Sequence, residues 1–238
     1  MKTLEIFDLP YYWEMVNAEK LALYNVLNDC RPSIAIEIGT REGGSLQLLS
    51  ALSTQVYTLD IDPAVMKLCD TFKNVHFVIG DSKKTLPDLL KGLAIKGQQP
   101  DFILVDGDHS FDGVRNDLQH ILAMKISKPL IILMHDSFNP ECRRGMLSIN
   151  YEACPNVVFV DIDFIQGIYA PGETTRGEMW GGFGIIYMSD FPVKKSPLVK
   201  QSNEYSFERI YHLSKHFHST QSTIASRIKS YIFRKLFI

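Results

Sequence analysis

The stretch "SIAIEIGTREGGSLQLLSAL", residues 33–52, decides the fold of this chain of 238 residues. It begins with a run of β-branched apolar residues, which is typical of a buried strand, and the run stops at Gly39. Two more glycines, Gly43 and Gly44, precede a segment with the apolar spacing of a helix. The stretch therefore predicts a strand, a glycine turn and a helix in succession, which is the repeating unit of an α/β sheet.

The same alternation of apolar runs and helical segments continues along the chain. The further apolar runs are "VYTLDID", "VHFVIGD", "DFILVDG", "PLIILMHD", "NVVFVDID" and "GFGIIYM". Helix-like segments such as "PAVMKLCDTF" and "FDGVRNDLQHILAM" lie between them, and "EMVNAEKLALYNVLND" predicts a helix ahead of the first strand. The first five strands are almost continuously apolar, so we expect them to be buried on both faces. The pattern predicts a seven-stranded, mostly parallel sheet with helices on both faces, in which the last two strands form an antiparallel pair at the edge.

The composition is that of an ordinary soluble globular protein, with 45% apolar and 22% charged residues. No apolar run approaches the roughly 20 residues that a transmembrane helix needs, and the N-terminus "MKTLEIFDLPYYWEM" does not resemble a signal peptide. The four cysteines are scattered without a C-x-x-C pair, which indicates reduced thiols. We therefore expect a cytoplasmic protein with no transmembrane segment, and the net charge of −2 gives no sign of a nucleic-acid partner.

The charge is distributed unevenly along the chain. Residues 191–238 carry nine lysines and arginines against two glutamates, although the whole chain has a net charge of −2. The stretch "SDFPVKKSP" looks like a linker, so we predict a domain over residues 1–190 and a basic, helical extension over 191–238. In "TIASRIKSYIFRKLFI", isoleucine and leucine recur every four positions with basic residues between them, which is typical of an amphipathic helix. Three roles stay open for it: docking on the acidic domain, pairing with another subunit in a homo-oligomer, or lying on an anionic membrane surface.

Polar residues follow the first five predicted strands at the point where each one ends. The strand ends read "EIGTREGGS", "DID", "GDS", "DGDHS" and "HDS". Ligands of open α/β sheets bind outside the carboxyl ends of the strands. A single aspartate after a strand is ordinary turn chemistry, but five such ends in succession predict a cleft for a cofactor and a substrate.

The turn after the first strand indicates which cofactor this cleft takes. Its pattern is G-x-x-x-G-G rather than the G-x-G-x-x-G that cradles a pyrophosphate. Glu37 would repel a pyrophosphate and suits an ammonium group, and Asp60, 21 positions after Gly39, lies where a carboxylate accepts hydrogen bonds from both ribose hydroxyls. Asp81 and Ser82 can reach an adenine edge. A ligand with adenine, ribose and an amino-acid tail but no phosphate is S-adenosylmethionine; in the alternative reading, Glu37 and Asp81 are merely turn-forming acids.

These motifs resemble those of class I S-adenosylmethionine-dependent methyltransferases. "AIEIGTREGGSLQLLSAL" is similar to the first motif of that family, "VYTLDIDP" to its acidic second motif and "GDS" to its third. The resemblance covers roughly residues 33–189 and implies a Rossmann-like fold. Within the family, "DFILVDGDHSFDGVRNDL" resembles the metal-dependent O-methyltransferases related to macrocin O-methyltransferase and the cephalosporin-hydroxylase-type proteins. The residues that we predict to contact the cofactor are Glu37, Gly39, Thr40, Arg41, Gly43, Gly44, Ser45, Asp60, Asp62, Asp81, Ser82 and Asp106.

The resemblance also implies a divalent metal. In the more distant catechol and caffeoyl-CoA enzymes, an Asp-Ala-Asp-Lys stretch binds the metal through its first aspartate; the matching residue here is Asp106, and His109 stands in the lysine position. The second metal cluster of that family is Asp-Asn or Asp-Asp after the fifth strand, where this chain has Asp136 and Ser137. A serine hydroxyl is a weaker ligand than an amide carbonyl, and His135 either compensates for it or faces the core.

A hydroxyl group must lose its proton as it attacks the methyl group of a sulfonium. Histidine has an ordinary pKa that suits a base near pH 7, and a hard dication held by carboxylates lowers the pKa of the hydroxyl. We therefore predict that His109 is the catalytic base. We predict that Asp106, Asp136 and Ser137 hold a divalent metal, and that the metal is Mg²⁺ because the ligands are oxygens.

The predicted acceptor is a hydroxylated small molecule such as a sugar or a secondary metabolite. Residues 164–182 form a long loop between the last two strands, which is either a wall of the acceptor site, through Trp180, Tyr169 and Arg176, or a plain surface loop. Two other functions stay open. One is a nucleotide-dependent oxidoreductase on the same kind of sheet, against which Glu37 and the missing G-x-G-x-x-G motif count. The other is a non-catalytic binding module.

Overall fold

The computed structural model of the protein describes residues 8–192 and 196–219. The helices within these residues are α1 (Asn17–Cys30), α2 (Gly44–Leu52), α3 (Ser82–Ile95), α4 (Phe111–Leu122), α5 (Pro140–Leu147) and α6 (Glu204–Leu213). The strands are β1 (Ile34–Ile38), β2 (Gln55–Asp60), β3 (Val75–Ile79), β4 (Phe102–Val105), β5 (Leu130–His135), β6 (Val157–Ile165), β7 (Ile168–Tyr169), β8 (Met179–Trp180), β9 (Phe183–Met188) and β10 (Leu198–Lys200). The amphipathic segment predicted for residues 223–238 lies outside the described part of the chain. None of the helices in that described part is long and apolar enough to cross a membrane.

One large sheet of eight strands organises the described residues, in the order β10-β6-β9-β5-β4-β1-β2-β3. β9 runs antiparallel to both of its neighbours, and the other neighbouring strands run parallel. This confirms the predicted Rossmann-like, mostly parallel sheet and the antiparallel pairing of the last two predicted strands. The sequence does not predict β10, because three residues are too few to show the period of a strand. β7 and β8 form a separate two-stranded ribbon.

Two apolar layers, one on each face of the sheet, form the core. Successive side chains of a strand point to opposite faces. Ile36 and Ile38 of β1 therefore pack in the layer with α3, α4 and α5, whereas Ala35 packs in the layer with α1 and α2. In α4, Val114 and Leu118 are buried on one face, as their spacing predicts. The helices on both faces are thus confirmed.

Burial differs between the middle and the edge of the sheet. Every residue of β1 and β4 is buried, because both strands have neighbours on each side and helices on each face. β3 lies at an edge and is partly exposed, so the expectation that all of the first five strands are buried on both faces is wrong for β3. The helical segment predicted after β2 is a 3₁₀ helix over Pro63–Leu68, which begins with a hydrogen bond from the backbone N of Ala64 to the side chain of Asp62.

A buried ion pair fastens residues after β10 to the body of the protein. Arg143 of α5 and Asp163 of β6 are both buried, and Nη1 of the arginine lies 2.6 Å from Oδ1 of the aspartate. Arg143 also donates to the side chain of Gln201 (3.1 Å), and Asp163 accepts from the backbone N of Asn203 (3.0 Å). The ring of Phe207 in α6 covers the guanidinium group at 4.2 Å. The first part of the predicted extension is therefore bound to the body, and the predicted domain boundary stays a prediction.

Removing this ion pair should destabilise the fold. Arg143→Ala leaves the carboxylate of Asp163 buried without its partner, so we expect a loss of about 3–5 kcal/mol in the free energy of unfolding. Arg144 follows on the same helix and pairs with Glu141 on the surface, so Arg144→Ala should cost less than about 1 kcal/mol. Urea unfolding of the two variants measures the difference. Equal and small losses would show that the buried pair contributes no more than the exposed one.

Candidate active site

A cavity of about 1070 Å³ lies at the carboxyl ends of β1 to β5. The chain lays β2 and β3 on one side of β1 and then returns to lay β4 and β5 on the other side. Open α/β sheets bind their ligands at such a reversal of the strand order. The cavity is large enough for a nucleoside-containing cofactor. The cleft that the strand ends predict is therefore present.

The glycine turn after β1 packs directly against other parts of the backbone. A Cβ atom added to Gly39, whose φ is +96°, would lie 2.0 Å from the carbonyl oxygen of Asp106 at the end of β4. A Cβ atom added to Gly44 would lie 2.6 Å from the carbonyl oxygen of Tyr12. Glycine is therefore required at these two positions by the packing of the turn itself.

The carboxylate of Asp60, the last residue of β2, holds the same turn. Its Oδ2 atom accepts hydrogen bonds from the backbone N atoms of Thr40 and Arg41, both at 2.9 Å. Its Oδ1 atom accepts from the backbone N of Asp62 at 2.8 Å. A carboxylate has about four acceptor positions, so capacity remains for a ribose hydroxyl. Asp60 lines the cavity, where such a hydroxyl would reach it.

Asp81 and Ser82 line the cavity at the start of α3. Oδ1 of Asp81 accepts a hydrogen bond from the backbone N of Lys83 at 2.9 Å, which is the cap of this helix. The cap fixes the carboxylate at the wall of the cavity. The position predicted for contacts to an adenine edge is therefore available there.

Glu37 lies behind the glycine turn and not at the surface of the cavity. Its carboxylate is fully buried and accepts hydrogen bonds from the hydroxyls of Ser45 and Thr58, both at 2.6 Å. Burial raises the pKa of Glu37 to about 8, and the two hydroxyl donors offset this only in part. Glu37 therefore supports Ser45, at the start of α2, from within the core.

Asp106, His109 and Asp136 meet where β4 and β5 end. Nε2 of His109 lies 3.2 Å from Oδ2 of Asp136 and 3.6 Å from Oδ1 of Asp106. One atom from each of the three side chains lies within 4.8 Å of the others, which is a spacing that suits a metal ion. Asp136 is distant in the sequence from Asp106 and His109 but meets them because β4 and β5 are adjacent parallel strands.

The backbone at Asp136 has a conformation that aims its side chain. Its φ of +57° is in the left-handed region, which few residues other than glycine adopt and which aspartate tolerates better than most. Its Oδ1 atom accepts a hydrogen bond of 2.5 Å from the backbone N of Gly181. The neighbouring Trp180 stands edge-on to the ring of His109, with 5.6 Å between the ring centroids. Through its hydrogen bond to Gly181, the carboxylate of Asp136 therefore holds the loop that carries Trp180.

His135 lines the cavity beside the cluster, and a role for it as a metal ligand in place of Ser137 stays a prediction. Its Nδ1 atom lies 2.8 Å from Oδ1 of Asp106, and its Nε2 atom lies 3.6 Å from Oε2 of Glu19. Glu19 is buried in α1 and accepts hydrogen bonds from the backbone N atoms of Val16 and Gly182. His135 thus connects Asp106 to α1. The sequence gives no sign that Glu19 contacts His135, because an acidic residue in the first turn of a helix is common.

The charges of this cluster shift the pKa values of its members. Burial acts to raise the pKa of Asp106, but His135 and His109 outweigh it and lower that pKa to about 2. The contact with Asp106 raises the pKa of His109, against the opposing effect of burial. Burial acts to lower the pKa of His135, but Asp106 and Asp136 hold it well above its ordinary value. The carboxylates therefore favour the charged form of both imidazoles.

An N-terminal segment, residues 11–16, closes one side of the cavity. The side chain of Gln47 exchanges two hydrogen bonds of 3.1 Å with the backbone of Tyr11, and Glu14 forms an ion pair with Arg41. Tyr12 and Trp13 of this segment line the cavity. The one local signal of this segment in the sequence is the run of aromatic residues in "PYYW", which by itself does not indicate a place at a ligand cleft.

The loop between β6 and β9 supplies a further wall. Of the three residues predicted to wall the acceptor site, Trp180 lines the cavity, whereas Tyr169 and Arg176 do not. The hydroxyl of Tyr169 instead donates to the carbonyl oxygen of Leu213 at 3.1 Å. Thr174 and Thr175 of the loop also line the cavity.

Most of the predicted site residues line this one cavity, and their roles stay predictions. Those that line it are Gly39, Thr40, Arg41, Gly44, Ser45, Asp60, Asp81, Ser82, Asp106, His109 and Asp136. Glu37, Gly43, Asp62 and Ser137 do not line it. Ser137 is buried, and its hydroxyl lies 3.0 Å from the position of a Cβ atom added to Gly182. The structure therefore does not place Ser137 in the wall where a metal ligand is expected, because the turn at Asp136 directs the two successive side chains apart.

Comparison with known proteins bears on the class of this chain. Residues 36–137 match the profile of a family described as a methyltransferase domain. A search of curated proteins gave no significant match. Among solved structures, the cofactor-bound protein Rv0187 from MTB is similar with 18% sequence identity and a TM-score of 0.52, over 79% of this chain and 88% of that one. An O-methyltransferase from Bacillus cereus in complex with SAH (S-adenosylhomocysteine) has 16% identity and a TM-score of 0.52, over 79% of this chain and 90% of that one.

The two solved structures show the fold, and the family profile covers the strand ends β1 to β5 that form much of the cavity. The profile begins in β1 and ends after β5, so it includes the glycine turn, Asp60, Asp81 and the cluster at Asp106. The match to a methyltransferase domain supports the class that the motifs resemble, the class I S-adenosylmethionine-dependent methyltransferases, and the two solved structures show the fold. These findings do not assign the chain to the macrocin-related group within that class.

The role of Asp60 can be measured by cofactor binding. Asp60→Ala should weaken the binding of S-adenosylhomocysteine about 30- to 150-fold, because it removes the ribose acceptor and the acceptor that holds the turn at Thr40 and Arg41. Asp62→Ala removes only the cap of the 3₁₀ helix, so it should change the affinity less than about threefold. Isothermal titration calorimetry of both variants gives the two dissociation constants. An unchanged constant for Asp60→Ala would show that this carboxylate does not hold the cofactor.

The buried carboxyl of Glu37 should make stability depend on pH. Its pKa rises from an ordinary 4.5 to about 8 in the folded protein. Between these values the folded protein keeps a proton that the unfolded chain has lost, so the contribution of Glu37 falls as pH rises, by up to about 1.4 kcal/mol per pH unit. Glu37→Gln does not titrate, so the stability of the wild type relative to this variant should decrease from pH 5 to pH 8 and then level off. Urea unfolding at several pH values tests this, and a constant difference would contradict it.

Proposed function

We propose that the protein is an S-adenosylmethionine-dependent O-methyltransferase that methylates a hydroxyl group of a small molecule with the help of a divalent metal, Mg²⁺. The observation that carries the proposal is the convergence of Asp106, His109 and Asp136 in the wall of the cavity that Asp60 and Asp81 also line. A hydroxyl acceptor needs its proton removed during methyl transfer. Carboxylates for a metal and an imidazole for a proton, next to a cofactor site, supply the groups for that step.

The donor set fits a hard dication. Asp106 and Asp136 provide carboxylate oxygens from two adjacent strand ends, and such oxygens are preferred by Mg²⁺. Each carboxylate is oriented by another group: Asp106 by Nδ1 of His135 and Asp136 by the backbone N of Gly181. When bound, the metal lowers the pKa of the acceptor hydroxyl. Oriented ligands are the arrangement that a metal site requires.

His109 is the residue that accepts the proton of the hydroxyl, because a bound dication would neutralise the carboxylates that otherwise favour the charged form of its imidazole. Its side chain is 41% exposed, and its Nε2 atom lies between the carboxylates of Asp106 and Asp136 at the cavity wall. His135 is less suited to this role because its side chain is only 13% exposed and both of its ring nitrogens face carboxylates, Nδ1 that of Asp106 and Nε2 that of Glu19. Mg²⁺ favours oxygen ligands, which leaves the imidazole of His109 as the base. A softer dication would instead take His109 as a third ligand, so metal affinity distinguishes the two roles.

Protein side chains also limit the access of water to the reacting groups. The N-terminal segment closes one side of the cavity through its bonds to Gln47 and Arg41. Trp180 covers His109 from another side. S-adenosylmethionine, held by the glycine turn and Asp60, would supply a methyl group to the acceptor oxygen and leave as S-adenosylhomocysteine, and Nε2 of His109 would take the proton that the acceptor hydroxyl releases. The contacts of the N-terminal segment and Trp180 would limit the competition of hydrolysis with the transfer.

Substitutions at the cluster separate the base from the metal ligands. His109→Ala should lower the rate of methyl transfer about 10²–10⁴-fold, because it removes the base. It should leave the affinities for Mg²⁺ and S-adenosylhomocysteine within about threefold of the wild type. Asp106→Ala and Asp136→Ala should lose activity through loss of metal, and excess Mg²⁺ should restore part of it. The measurements are a screen of hydroxylated acceptors with labelled S-adenosylmethionine, with and without Mg²⁺, and a calorimetric titration with Mg²⁺.

A matched control is a histidine away from the cavity. His76 is exposed on the edge strand β3, so His76→Ala should retain full activity. A tenfold or greater loss of metal affinity in His109→Ala would make this residue a ligand and not the base. Binding of S-adenosylhomocysteine without transfer to any acceptor, at any metal concentration, would favour a binding module on the same fold.

A further inference from the structure

The wall of the cavity is strongly acidic. Among the described residues that line it, the basic side chains are Arg41 and Lys83, besides the two histidines His109 and His135. The acidic ones are Glu14, Glu19, Glu42, Asp60, Asp81, Asp106, Asp108 and Asp136. Eight carboxylates against two permanent cations leave the wall negative even when both imidazoles are protonated. A cavity lined by one sign of charge selects its ligands by charge.

Both permanent cations are already engaged with carboxylates. The guanidinium group of Arg41 is held by Glu14, with Nη2 and Oε1 2.9 Å apart. Nζ of Lys83 lies 3.9 Å from Oδ2 of Asp108. Within the described wall of the cavity, each lysine and arginine faces a carboxylate, which partly offsets its attraction for a phosphate or carboxylate group of an acceptor. Such groups are normally bound by arginine or lysine.

The N-termini of α3 and α4 do not replace these cations, and the N-terminus of α2, at Gly44 and Ser45, belongs to the glycine turn proposed to hold the cofactor. The first turn of α3 is capped by the carboxylate of Asp81, and the first turn of α4 is capped by the hydroxyl of Ser110. A carboxylate cap repels an anion from the position where it would bind. The proposed cofactor carries one net positive charge and Mg²⁺ carries two, which is fewer than the excess of carboxylates over permanent cations. The acceptor therefore meets a negative wall in the loaded protein as well.

Trp180 gives the acceptor an aromatic surface beside the base. Its Nε1–H group donates to Oε2 of Glu178 at 2.8 Å, so the indole offers carbon atoms to the cavity. The ring is fixed against His109 at an interplanar angle of 75°. An acceptor whose hydroxyl reaches His109 must lie next to this ring. Aromatic surfaces bind the apolar parts of a ligand and also attract cations, tryptophan most strongly.

We propose that the acceptor is a polyhydroxylated ring without anionic groups, that it binds most tightly when it carries a protonated amine, and that Trp180 is the surface on which it stacks. This inference rests on the proposed function and names the class of its substrate. The negative wall attracts the amine, and the indole adds a cation–π contact. The hydroxyls bind at the cluster of Asp106, His109 and Asp136. Sugar phosphates, uronic acids and nucleic acids are rejected by the same charges.

Three methyl glycosides that share one ring and differ in charge test the proposal. They are methyl glucosaminide, methyl glucoside and methyl glucuronide, titrated at a slightly acidic pH into the full chain loaded with S-adenosylhomocysteine and Mg²⁺ and followed by ligand-observed NMR. We expect the glucosaminide to bind about tenfold more tightly than the glucoside, and the glucuronide about tenfold more weakly. Equal or tighter binding of the glucuronide would overturn the proposal.

The binding of S-adenosylhomocysteine, measured first, keeps this test apart from that of the function. If it binds and none of the three glycosides does, the substrate class is wrong and the methyltransferase proposal stands. If it does not bind, the proposed function fails, and the substrate class fails with it.

Variants of the wall identify the groups responsible. Trp180→Ala should weaken the glucosaminide about tenfold, whereas Trp180→Phe keeps an aromatic face and should weaken it less than about threefold. Asp108→Asn keeps the acceptor for the backbone N of Ser110 (3.1 Å) but removes a charge, so it should reduce the preference for the glucosaminide over the glucuronide about threefold. Asp112→Asn, outside the cavity on α4, is the matched control and should leave that preference unchanged. An identical preference in Asp108→Asn and Asp112→Asn would contradict the electrostatic basis of the selection.

Discussion

The contact between the glycine turn after β1 and the end of β4 is the constraint on which the whole site depends. Gly39 approaches the carbonyl group of Asp106 so closely that no side chain fits between them. The backbone N of Gly39 donates to Leu59 of β2 at 2.8 Å, and the backbone N of Asp106 donates to Ile38 at 2.9 Å. Three strands therefore end at one level. The turn proposed to hold the cofactor and the first carboxylate of the acidic cluster are parts of one rigid unit, so a shift of either strand would displace both.

Paired buried charges connect this unit to the rest of the protein. A buried charge is costly unless it has a partner, and each carboxylate of the site has one. Asp106 meets His135, Asp136 accepts from Gly181, and Glu19 accepts from Val16. These partners lie on three different elements: a strand end, the loop after β8 and the segment before α1. The N-terminal segment and the loop that carries Trp180 are therefore held in place by the same charges that the proposed chemistry uses.

Several residues that their sequence motif assigns to the site do not line the cavity. They lie in the core behind its wall. Glu37 belongs to the first motif, yet it is buried under Ser45 and Thr58. Ser137 follows a cluster residue directly, yet its hydroxyl faces Gly182. A motif shows that a polar residue stands near a strand end. The pleat of the strand and the conformation of the turn decide which side chain enters the cavity.

The sequence by itself determined the α/β fold and the edge of the sheet at which the site lies. Apolar runs and helical spacing are local signals that the sequence shows directly. Because the carboxyl ends of parallel strands share one edge of the sheet, the sequence also predicts that Asp60, Asp106 and Asp136 lie close together. Only the tertiary structure decided that β3 is an exposed edge, that β10 extends the sheet, and that Glu19 reaches His135. These features arise from contacts between residues far apart in the chain, and such contacts leave no periodic or local pattern in the sequence.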